Sequence, residues 1–76
     1  MIEKYISAFT ETFGITSEEA QTLTYQAITG WDSVGHMQLI AALEEVFDIM
    51  FEMDDIIDFS SFEKGKEILK KYGVEL

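Results

Sequence analysis

Between Ser33 and Met50 the apolar residues Leu39, Ile40, Leu43, Val46, Phe47 and Met50 fall within one sector about 120° wide when each residue is turned by roughly 100°. That period is helical, and a stripe of this kind must be buried against other elements. The chain has 76 residues and no cysteine, so no disulfide or thiolate metal site can replace a hydrophobic core. A hydrophobic content of 47% supplies the material for one core, close to the size at which a single core stops sufficing. One domain spanning residues 1–76 follows.

The rest of the chain has the same character. Ile2, Tyr5, Ile6, Phe9 and Phe13 recur at helical spacing, and Gly14 ends that helix. From Ile15 to Asp32 no period is sustained. Thr16 and Glu19 fit a capping box opening a short turn of helix, while Thr29-Gly30 reads as a breaker. Irregular segments this long are uncommon in compact domains and usually carry function. A second helix runs from about Ser33 to Met50, and a short third covers Asp54 to Phe59. Ser61 caps the last helix, where Phe62, Gly65, Ile68, Leu69 and Tyr72 share a face. Its opposite face, Glu63, Lys66, Glu67, Lys70 and Lys71, reads as solvated, with the lysines suitably near the C-terminal end of the dipole. Without proline, strand alternation, repeat or linker, the expected class is all-α. The expected architecture is a four-helix bundle with a short third helix and a long first loop crossing the surface. Ile6, Phe9, Phe13, Leu39, Leu43, Val46, Phe47, Phe59, Phe62 and Leu69 are expected in its core.

Charge narrows the partners. Fifteen acidic residues against five lysines leave −10, and no Lys or Arg occurs between Lys4 and Lys64. Such a surface repels nucleic acid and anionic membranes and speeds encounter with basic proteins. The N-terminal stretch lacks a signal-peptide core and an Arg-rich transit pattern, and no apolar run is long enough to span a membrane. A monomer in the cytoplasm, with no nucleic acid bound and no membrane insertion, is expected.

The second helix carries a further apolar strip. Val34, Met37 and Ala41 lie opposite its core face, interleaved with Glu44, Glu45 and Asp48. A small apolar patch ringed by carboxylates suits docking, and a methionine suits a surface that fits several partners. Ser33 stands at the border of this strip, where the loop meets the helix. A helix N-terminus favours an anion, such as a phosphodiester on Ser33. From the residues alone, Asp32 or Ser33 acting only as a helix cap explains the same pattern.

The run Gly30-Trp31-Asp32-Ser33-Val34-Gly35-His36-Met37, followed by Leu39 to Phe47 with Glu44-Glu45-x-Phe47, resembles the attachment region of the acyl carrier protein family. The resemblance extends over nearly the whole chain in the order of its helices. It implies that Ser33 receives a 4′-phosphopantetheine arm from coenzyme A, through a phosphopantetheinyl transferase that uses magnesium. Asp32 matches the acidic residue of the motif. Val34, Met37, Glu44 and Glu45 match positions touched by partner enzymes that load, condense or transfer acyl groups, and Ala41 and Asp48 extend that strip. The protein would be a non-catalytic carrier holding acyl groups as thioesters on an imported thiol. Val34 stands where leucine is usual. Gly35 and Gln38 stand where fatty-acid-synthesis carriers are often acidic, while Trp31 and His36 look like a carrier of a specialised pathway. Trp31 is expected to pack against the loop.

Other classes fit less well. Asp32, Ser33 and His36 lie close together as in a hydrolase, but Trp31 occupies the first glycine position of a nucleophile elbow. His36 falls near the core-facing sector and reads as a packed, hydrogen-bonded histidine. No Asp-x-Asp-x-Asp-Gly loop surrounds Asp48, Glu52, Asp54, Asp55 and Asp58, so no specific metal site is expected. An aminoacyl or peptidyl carrier, and an acidic docking module without covalent cargo, remain as alternatives.

Overall fold

The computed structural model describes residues 2–76. Among the described residues five helices follow one another: α1 (Ile2–Phe13), α2 (Ser17–Gln21), α3 (Ser33–Phe47), α4 (Met53–Asp58) and α5 (Phe62–Lys71). The all-α class holds among the described residues, with one isolated bridge between Thr24 and Ser61. The additional helix is α2, and its origin is local. Thr16 Oγ1 accepts the Glu19 N–H at 3.1 Å, and Glu19 Oε1 accepts the Thr16 N–H at 2.9 Å. That reciprocal capping box fixes a helix start inside the first connection.

The helix ends follow equally local causes. Gly14 closes α1 at φ 66° while its N–H donates to the Thr10 carbonyl at 2.8 Å. Ser61 Oγ accepts the Lys64 N–H at 2.9 Å and opens α5. Helix α3 stops at Phe47, short of Met50, because Asp48 turns left-handed (φ 54°, ψ 52°) and Ile49 donates back to the Glu44 carbonyl. Met50 therefore leaves the core stripe and lies in the connection to α4, 81% exposed.

Tyr5, Phe9, Trp31, Leu39, Ile40, Leu43, Phe59 and Leu69 form the fully buried centre, with Phe62 beside them. Of the expected core, Ile6, Phe13 and Phe47 are partly buried and pack against it. Val46 does not belong to it. It is 42% exposed and lines a groove with Glu3, Lys4, Ser7 and Glu11, the polar side of α1. At that point α3 has run past the apolar face of its neighbour.

Two glycines set how closely elements approach. A Cβ on Gly65 would collide with the Tyr5 hydroxyl and the Phe59 ring, so α5 lies against α1 only because position 65 has no side chain. The Tyr5 hydroxyl donates to the Phe62 carbonyl at 2.6 Å, leaving no unmet polar atom at this contact. Gly35 has the corresponding role at the start of α3.

The segment between α1 and α3 does not merely cross the surface. Leu23 is buried, Tyr25 N–H donates to the Ser60 carbonyl at 2.8 Å, and Phe62 N–H donates to the Leu23 carbonyl at 2.9 Å. These bonds pin the segment to the start of α5. Helix α4 is held from the other side, where Asp55 accepts from Lys71 at 2.6 Å and from the Tyr72 hydroxyl at 2.5 Å. Lys71 is thus ion-paired with a buried carboxylate and is not simply part of a solvated face.

Candidate functional site

Ser33 is the first residue of α3, and its exposure follows from how that helix begins. Asp32 is the N-cap in extended conformation, with Oδ1 accepting the Gly35 N–H at 2.9 Å. The Asp32 carbonyl accepts the His36 N–H at 2.8 Å, the first bond of the helical ladder. Asp32 therefore does the capping, and Ser33 does not. Among the described residues nothing hydrogen-bonds the Ser33 hydroxyl or the N–H groups of Ser33 and Val34. An exposed hydroxyl beside two open N–H groups at the positive end of a 15-residue helix fits a phosphodiester on Ser33 Oγ.

Gly35 explains why the turn is so tight. A Cβ there would collide with the Gly30 carbonyl oxygen and come within 3.2 Å of Phe13 Cε1. The end of the loop thus lies directly on the first turn of α3. An acidic side chain at position 35 is excluded by packing.

Trp31 anchors the same stretch. Its indole is fully buried, stacked on Phe13 (5.4 Å between centroids, 29°) and nearly coplanar with His36 (6.1 Å, 16°), which lies at its edge. Phe9, Tyr25 and Phe59 meet it roughly edge-on. Trp31 is a packing residue, as its sequence context suggested, although it ties the loop to the core as well. His36 is held at both ring nitrogens: Trp31 Nε1–H donates to Nδ1 at 2.9 Å, and Nε2 lies 2.7 Å from the Ile56 carbonyl oxygen. The hydrogen-bonded character of His36 was legible from its place on the helix, but its partners were not. They come from segments five and twenty residues away.

The strip expected to serve docking divides. Val34 is 67% exposed, Met37 52%, and Ala41, Glu45 and Asp48 are also exposed. Glu44 is only half-exposed, and its Oε2 accepts the Phe51 N–H at 2.9 Å, which holds the connection between α3 and α4. Asp48 is the left-handed C-cap of α3. Both residues thus shape the backbone in addition to carrying charge.

Two features near Ser33 escaped the sequence reading. A groove of about 230 Å³ is lined by Tyr25, His36, Ile56, Ile57, Phe59 and Ser60. His36 stands one helical turn after Ser33, on the same side of α3. Ile57, 70% exposed, extends the apolar surface from this groove onto α4, a direction that an analysis of α3 alone does not contain. A larger cavity of about 640 Å³ lies among Lys4, Val46, Phe47, Tyr72 and Val74. It is at the far end of α3, about 20 Å from Ser33 at 1.5 Å per residue, and plays no part in the site.

Among the described residues no three His, Asp or Glu side chains converge to hold a metal ion, and no helix is long and apolar enough to cross a membrane. Lys71 and Tyr72 hold the Asp55 carboxyl below the usual carboxylate range, the Lys71 hydrogen bond contributing most. No protein-family model, curated protein or solved structure matches this chain.

Proposed function

We propose that this chain is an acyl carrier domain in which Ser33 is the attachment point for 4′-phosphopantetheine. The observation that carries the reading is the Ser33 hydroxyl itself, exposed and without a hydrogen-bond partner, at the start of α3 with Asp32 already serving as cap. A serine whose only task was capping would hold the Gly35 N–H, and here Asp32 holds it.

The surroundings support the same reading. Val34 and Met37 present apolar surface beside Ser33, and Glu45 and Asp48 follow along the helix. The order α1, α3, α4, α5, with α2 inside the first connection, agrees with the four-helix plan that the resemblance implies. In this role the chain supplies no catalytic group. Asp32 fixes the start of α3, the open N–H groups of Ser33 and Val34 stabilise a phosphodiester, and the acidic strip docks partners with basic surfaces. The arm, once attached, supplies the thiol that holds an acyl group as a thioester and delivers it at high effective concentration to a docked enzyme.

Incubation with coenzyme A, magnesium and a broad-specificity phosphopantetheinyl transferase is the test. Intact mass should rise by one phosphopantetheinyl group, and Ser33→Ala should fold normally yet stay unmodified. A wild type left unmodified by several such transferases would overturn the reading in favour of a docking module without covalent cargo.

A further inference from the structure

His36 bridges three parts of the molecule one turn from Ser33. Its Nδ1 accepts from Trp31 in the loop, and its Nε2 meets the Ile56 carbonyl oxygen in α4. A nitrogen that accepts carries no proton, and a carbonyl oxygen can only accept, so Nε2 must be the protonated one. Of the three protonation forms of the ring, only the neutral Nε2–H tautomer satisfies both partners. The Nδ1–H tautomer loses both, and the imidazolium sets two N–H groups against each other at Trp31.

We propose that His36, in its neutral Nε2–H form, is a positioning residue for Ser33, so that the presentation of Ser33 is lost on acidification. The proposed role in modification rests on the reading of Ser33 as the attachment serine. Trp31 is fully buried, so an indole N–H displaced from His36 has no water to turn to without the loop moving. The backbone of the loop end Gly30-Trp31-Asp32-Ser33 is held where the Trp31 N–H donates to the Ile28 carbonyl and the Trp31 carbonyl accepts from Gln26, and its side chains are held by Asp32 on the Gly35 N–H and by the Trp31 indole on His36. Release of the last leaves the Trp31 side chain, two residues before Ser33, without its hydrogen-bond partner.

Among the described residues no carboxylate is hydrogen-bonded or ion-paired to the His36 ring. From the loop Tyr25 faces the ring, edge-on at 5.5 Å. From α4 and the turn after it the groove is lined by Ile56, Ile57, Phe59 and Ser60, while Asp55 is engaged with Lys71 and Tyr72. Within α3's own start, Asp32 is bound to the Gly35 N–H. One face of Trp31 is covered by Phe13 of α1.

The test follows the Trp31 indole N–H and the Ser33 amide by NMR as the solution is acidified from mildly basic pH over the range in which the protein stays folded. In the wild type the indole N–H should be protected from exchange at the upper end and exposed at the lower, with the Ser33 amide shifting in step. In His36→Gln, and in Trp31→Phe, which removes the donor alone, the Ser33 amide should lose that pH dependence. The rate of Ser33 modification is then taken as the ratio of wild type to His36→Gln at each pH, which cancels the transferase's own profile. That ratio should fall several-fold on acidification. An indole N–H that stays protected throughout, or a ratio indifferent to pH, overturns the proposal. If no variant is modified at any pH, the carrier reading falls, and the two resonances still decide whether His36 sets the position of Ser33.

Discussion

The carboxylate of Asp55 accepts from the Lys71 ammonium at 2.6 Å while being almost wholly buried between α4 and the end of α5. Tyr72 donates to its other oxygen and accepts the Glu52 N–H at 2.9 Å, so one carboxylate organises the start of α4. The Asp55 carboxyl is lowered in the folded state, chiefly by Lys71 and then by Tyr72. Its contribution to stability is therefore complete above the ordinary Asp value of about 4 and is lost as pH falls towards the lower folded value. Asp55→Asn should melt at a lower temperature than the wild type at neutral pH, and the gap should close in acid. Circular dichroism melts of the two proteins across that range check it. A gap unchanged in acid would show that the carboxylate charge is irrelevant.

Gly35→Ala should cost about 1–3 kcal/mol, the usual range for forcing extra volume into a packed site. The new methyl would meet the Gly30 carbonyl, which is backbone and cannot rotate away. Urea denaturation followed by far-ultraviolet circular dichroism measures the loss. Modification of Ser33 should slow in the same variant under conditions where it remains folded.

The acidic strip is only partly separable from the fold. Glu44→Ala should lose about 1 kcal/mol, because the Phe51 N–H is left without its acceptor, whereas Glu44→Gln should lose less. Glu45→Lys should leave stability within about 0.5 kcal/mol, as exposed substitutions do, while weakening capture by basic partners and flattening its salt dependence. Equal stability losses at positions 44 and 45 would refute this division.

Asp48 holds a left-handed backbone that suits glycine better and asparagine nearly as well. Asp48→Gly should raise stability by up to about 1 kcal/mol, and Asp48→Asn should gain a smaller amount with the same change of charge. Comparing the two with Asp48→Ala in thermal melts isolates the backbone effect. If alanine matches glycine, the gain comes from charge alone.

Much of this was legible in the sequence because its causes are local. The capping box at Thr16 and Glu19, the Ser61 cap, the Gly14 stop and the burial of Phe9, Leu39, Leu43 and Phe62 follow from spacing and residue type. Val46 and Met50 show where periodicity fails. It assigns a face, but it cannot say where a neighbouring helix ends or that Asp48 will turn the chain. The exposed strip of Val34 and Met37 was likewise readable, whereas the roles of Glu44 and His36 depend on Phe51, Trp31 and Ile56, partners that only the tertiary fold brings near.

The pairing of residues 23–25 with residues 60–62 bears on the order in which the molecule assembles. Closing so long a stretch of chain is entropically costly, so such bonds form after the helices and their neighbouring contacts. Trp31 lies within that stretch and needs Phe13 on one side and Phe59 on the other before its pocket exists. The turn bearing Ser33 is then among the last parts to become native, and a nascent or damaged chain would display helix without offering an ordered serine. Hydrogen exchange should find the amides of Tyr25 and Phe62 opening together, in one cooperative unit with the start of α3.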